Sequence, residues 1–102
     1  MGMIEGKTKS GFDFRVPEGL SSDANFLRTL VKFRNMKLTP YDRMTAVFDV
    51  VSSVFCDEKE EERFYQYFAA LNSTGRTDIN TIFTEITEIV NYCKEQDERL
   101  KK

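Results

Sequence analysis

From residue 79 to residue 93 the chain repeats apolar residues at helical spacing. Ile79, Ile82, Phe83, Ile86, Ile89, Val90 and Cys93 fall on one stripe at 3.6 residues per turn. A helix cannot cover its own stripe, so other parts of the chain must. Three earlier segments carry matching stripes. Phe26, Leu27, Leu30, Val31 and Phe33 form the first, in a helix expected to end near Asn35, and Met44, Val47, Phe48, Val51, Val54 and Phe55 the second. Phe64, Phe68 and Leu71 form the third, flanked by Tyr65 and Tyr67.

The segment boundaries carry the expected punctuation. Thr39-Pro40 offers a capping hydroxyl and a proline at the first helical position, where its missing N–H costs nothing, and Asp42 suits the helix dipole. Asp57 with Glu60 has the spacing of a capping box. Residues 72–75 stop the third helix, with Gly75 suited to a left-handed turn, and Thr77 or Asp78 caps the fourth.

The first sixteen residues read differently. Phe12-Asp-Phe-Arg-Val16 alternates with a period of two, which in a strand places Phe12, Phe14 and Val16 on one face and turns Asp13 and Arg15 to water. Strands over 3–8 and 12–16, joined by Lys9-Ser-Gly11, make a β-hairpin, and Pro17 is expected to break the second. The expected fold is therefore mainly α, an N-terminal β-hairpin followed by about four amphipathic helices in one compact domain over 1–102. The hairpin spans 3–16, the helical core 22–93, and a charged tail at 94–102 is expected to fray into solvent.

Charge and residue content narrow the function. A net charge of −2 leaves no basic footprint for nucleic acid. In a helix-turn-helix reading of the last two helices, the fourth would expose Asn80, Thr81, Thr84, Glu85 and Glu88, with Arg76 the nearby cation; carboxylates would then meet phosphates. No apolar run approaches the roughly 18 residues of a membrane span, and the N-terminus lacks secretory features. Gly6 stands where a myristoylation signal needs Ser or Thr. A cytoplasmic protein without nucleic-acid or membrane partners is expected.

The chain has no histidine and no Cys-x-x-Cys, so neither a metal nor a cofactor is expected. Cys56 and Cys93 are expected as buried small hydrophobes. The acidic run Asp57, Glu58, Glu60, Glu61 and Glu62 opens a helix, where acids are favoured for their own sake, and no nucleophile–base pair is evident. An enzyme is not expected. What remains is interaction. Nine Phe and four Tyr are many for this length, and the stripes of the first two helices are wider than one buried contact requires. Candidate partner-binding residues are Phe33, Met36, Tyr41, Tyr65, Tyr67 and Tyr92, apolar or aromatic side chains at stripe margins or near the wide stripes.

One family shares this order of pieces. The start Ile4-Glu-Gly-Lys-Thr-Lys-Ser-Gly-Phe-Asp-Phe-Arg-Val16, then Ser22-Asp-Ala-Asn-Phe-Leu27, Glu62-Arg-Phe-Tyr-Gln-Tyr67, Thr74-Gly-Arg-Thr-Asp78 and Thr84-Glu-Ile-Thr-Glu-Ile89 follow in sequence. The arrangement resembles the small tail assembly chaperones of long-tailed phages and prophages of Gram-positive bacteria. The segment Phe33-Arg-Asn-Met-Lys37 is more aromatic and basic than that pattern. The resemblance implies a protein that binds the tape measure protein, keeps it soluble, and helps recruit tail tube subunits. It implies residence in the host cytoplasm, absence from the mature virion, and, in many members, a longer isoform made by ribosomal frameshifting. Self-association stays open, and so do two other readings. One is a small regulatory protein that inhibits a host protein; the other is a structural tail or head–tail component.

Overall fold

A computed structural model describes residues 2–34, 37 and 39–100, apart from the side chains of Arg99 and Leu100. The chain opens with strands β1 (Met3–Lys7) and β2 (Asp13–Pro17), paired antiparallel with Ile4 opposite Val16 and Gly6 opposite Phe14. Between them, Gly11 takes φ +92° and its N–H reaches the Thr8 carbonyl at 2.9 Å. Only a residue without Cβ enters that region cheaply, so the Lys9-Ser10-Gly11 loop closes where the sequence places it. Thr8 and Phe12 belong to the turn: the Thr8 N–H donates to the Phe12 carbonyl at 3.0 Å, and the Phe12 N–H donates back to the buried Thr8 hydroxyl at 3.2 Å. Pro17 does not break the strand. It sits opposite Met3, and the next bond runs from the Glu18 N–H to the Gly2 carbonyl at 3.1 Å. The proline therefore falls at a position that donates nothing to the ladder.

Phe12, Phe14 and Val16 are buried as the alternation requires, while Asp13 pairs with Lys7 and Arg15 with Glu5 across the outer face. A short 3-10 turn, Leu20–Ser22, leads into helices α1 (Ala24–Phe33), α2 (Pro40–Phe55), α3 (Glu58–Leu71) and α4 (Ile79–Leu100). Each start has a side-chain cap. Asp23 accepts from the Phe26 N–H, Thr39 from Asp42, Asp57 from Lys59, and Asp78 from Thr81. The capping box at Asp57 is half made, because Glu60 turns to Arg63 at 2.8 Å instead of back to the cap.

Phe64 is the centre of the core. Its ring lies 5.3 Å from Phe12, 5.3 Å from Phe55 and 5.2 Å from Phe68, so hairpin, α2 and α3 meet on one side chain. Ile82, Ile89 and Cys93 complete the core from α4.

Four further expectations change. The charged segment from Lys94 does not leave the fold at once: α4 stays helical to Leu100, and Asp97 is buried. Its carboxylate accepts from the Gly19 N–H (3.1 Å), the Ser21 N–H (3.2 Å) and the Ser21 hydroxyl (3.0 Å). Glu85, expected on the surface, is buried beneath the hairpin tip and accepts from the Ser10 hydroxyl; Glu88 beside it accepts from the Lys9 N–H at 2.9 Å. Cys56 is exposed because it is the left-handed residue that ends α2, at φ +54°. Leu27 and Val31 point outward, since α1 buries only Phe26 fully.

Candidate functional site

Helix α1 runs antiparallel alongside α4 and touches it near both ends. At one end Asp97 of α4 holds Ser21, just before α1; at the other, Phe33 of α1 stacks on Phe83 of α4, with centroids 5.4 Å apart and planes 25° from parallel. Between the two contacts the helices stand apart over α2, leaving an apolar groove. Val47 and Val50 of α2 form its floor, Leu30 and Phe33 one wall, and Phe83, Ile86 and Val90 the other. This hollow encloses about 220 Å³, and a second of about 190 Å³ continues past the aromatic pair to Met44 and Ile79. Along α4 the lining runs from Ile79 to Lys94, or about 22 Å at 1.5 Å per residue.

The groove does not stop at its lip. Leu27 and Val31 carry the apolar arc over the outer side of α1, with Val31 72% exposed. Phe83, on the opposite wall, is 42% exposed, a large aromatic that the fold leaves half in water. A trough of this length, with an apolar floor and projecting rings, suits an amphipathic helix better than a small polar molecule. A wider hollow, about 920 Å³ between Gly19, α1 and α2, is of another kind. Glu18, Asp23, Arg28, Lys32 and Asp49 line it, and Lys32 already faces Asp49 at 4.0 Å. Charges of both signs at its wall make it a solvated basin.

The six candidate residues do not gather on one surface. Phe33 stands in the groove wall, and Tyr41 is largely exposed on the first turn of α2. Tyr65 packs edge-on against Phe64, and its buried hydroxyl meets no hydrogen-bond partner among the described residues. Burial, with Glu61 nearby, pushes that phenol well above its ordinary range. Tyr67 and Tyr92 clamp the hairpin. Tyr67 sets its ring edge-on to Phe12 and donates to the Ser10 carbonyl at 2.7 Å; Tyr92 sets its ring against Phe14 and donates to the Glu5 carbonyl at 3.3 Å. Met36 lies outside the described residues.

Sequence reasoning missed Phe83, Val47 and Leu30 as groove residues, because at helical spacing they are indistinguishable from core positions. Among the described residues no group of three His, Cys, Asp or Glu side chains could hold a metal ion, and no helix is long and apolar enough to cross a membrane. Burial and the nearby Asp97 push the Cys93 thiol up to about 12, and Cys56 is also raised, by partial burial and Asp23, so neither thiol is activated. Comparison with family models, curated proteins and solved structures returns no match.

Proposed function

We propose that the chain is a tail assembly chaperone that binds apolar helical segments of a tape measure protein, keeps them soluble and helps recruit tail tube subunits. The observation that carries this reading is the groove between α1 and α4, about 22 Å long with an apolar floor and left open by the fold. A holdase needs such a surface and needs no catalytic pocket, because its work is reversible burial of a client's apolar stripe. The order of sequence pieces shared with tail assembly chaperones supports the same reading. Many copies along one long client would bind by avidity, so each groove can be weak and still effective. On this reading the protein acts in the host cytoplasm, is not an enzyme, and is released before the virion matures.

The test is co-expression with the candidate tape measure protein. The expected result is a co-purifying complex and a larger soluble fraction of the client. If no complex forms and the client's solubility is unchanged, the proposal fails.

A further inference from the structure

Taking the groove as the client site, as proposed above, we infer that it selects amphipathic helices whose apolar stripe is flanked by acidic residues. Among the described residues the charged side chains lining the two hollows are Arg34, Arg43 and Lys94, all cationic. The remaining polar lining is neutral, from Asn80, Thr87 and Asn91. This is a local inversion, because the whole chain has 17 acidic and 15 basic residues. Arg34 and Lys94 sit on opposite walls, so a helix lying between α1 and α4 would meet a cation on each flank. Arg43 extends the positive rim to the Met44 end.

A carboxylate-flanked helix would gain from Arg34 and Lys94; a lysine-flanked helix with the same stripe would be repelled, although it would suit the chain's net charge better. Rim charges mainly set selectivity and salt dependence, while the apolar floor supplies affinity. With exposed pairs each contributing a few-fold, the combined preference is about tenfold.

Two fluorescein-labelled peptides of about 15 residues, enough to span the groove, provide the test. Both carry one leucine stripe at i, i+3, i+4 and i+7; one has Glu on the flanks and the other Lys. Anisotropy titration with the full chain should show the Glu peptide binding about tenfold more tightly at low ionic strength. The gap should close as salt rises to about 0.3 M. The double variant Arg34→Glu/Lys94→Glu, both surface changes, should reverse the preference. Equal binding of the two peptides by the unaltered chain would overturn the acidic selectivity while leaving the groove as an apolar client site. Phe83→Asp separates the two readings: it should weaken both peptides. If it weakens neither, the groove itself is not the site. Sedimentation showing that a second copy of the chain fills the groove and excludes both peptides would also overturn the inference.

Discussion

Replacing Asp97 by alanine removes three hydrogen bonds at once and leaves two backbone N–H groups, at Gly19 and Ser21, without their acceptor. Hydrogen bonds to a charged group contribute about 1.5–3 kcal/mol each, but these three share one carboxylate, and the freed donors are only partly buried, so water can reach them. A loss of about 3 kcal/mol follows. With an unfolding entropy of about 0.2 kcal/mol/K for 102 residues, Tm should fall by roughly 14 °C. Asp97→Asn keeps the shape but has one acceptor oxygen, whereas Gly19 uses Oδ1 and Ser21 uses Oδ2; about half the loss is expected. Ser21→Ala should cost about 1 kcal/mol alone and almost nothing in the Asp97→Ala background. Truncation gives an independent check. Removing residues 99–102 should be nearly neutral, while removing 94–102 should cost at least as much as Asp97→Ala. The assays are thermal melts by circular dichroism and urea titrations of the same set. If Asp97→Ala loses less than about 1 kcal/mol, or if the two single variants are additive, the carboxylate is not a staple and the reasoning fails.

The packing yields three more expectations. Gly6→Ala would put a Cβ 2.6 Å from Phe14 Cζ and 3.1 Å from Tyr92 Cε1, so it should destabilise by about 1–3 kcal/mol in urea without any strain in φ. Phe64→Ala should cost about 3–5 kcal/mol, while Phe83→Ala, half exposed, should cost under about 1.5 kcal/mol and yet weaken client binding; equal stability losses would place Phe83 in the core. A thiol reagent should label Cys56 in the native chain and Cys93 only on unfolding. Cys93, raised from 9.0 to about 12, and Tyr65, also raised, favour their neutral forms in the fold. The unfolded chain ionises first, so their contribution to stability is full below about pH 9 and declines as pH rises toward 12; a urea midpoint that holds steady across that range would contradict it.

The legible parts of the fold were those set by local chemistry. A period of two, a glycine at the turn and an aromatic on every inward position brought Phe12, Phe14 and Val16 to the core. The caps at Thr39, Asp57 and Asp78 stand one residue before their helices. What sequence could not supply was the purpose of a carboxylate whose partner is far away. Glu85 and Asp97 sit among charges on a helix and read as solvated, yet Glu85 meets Ser10 and Asp97 meets Ser21, 75 and 76 residues distant. The tyrosines show the same limit. Tyr67 and Tyr92 at stripe margins suit an interface, and the fold uses both on its own hairpin. Stripe width did signal surplus apolar surface on α1 and α2, where Leu27, Val31, Met44 and Phe48 remain exposed. It could not signal Phe83, because exposure there depends on how far α1 stands from α4.

That separation has a physical basis. An apolar gap between two helices should close, since every methyl group brought together gains contact and leaves water. Here α4 is held from its other side by polar contacts of fixed geometry, Glu85 and Glu88 on the hairpin tip and Tyr92 on β1, while Asp97 holds the turn before α1. Helix α1 is packed on α2, and its ties to α4 include Ser21, just before it, and the Phe33–Phe83 stack. Closing the gap would disturb the Asp97 bonds to two backbone donors or unstack the rings. The hairpin-side contacts thus fix α4 without drawing on the residues that line the groove. Stability and an exposed candidate surface are here not opposed, because different faces of α4 carry them.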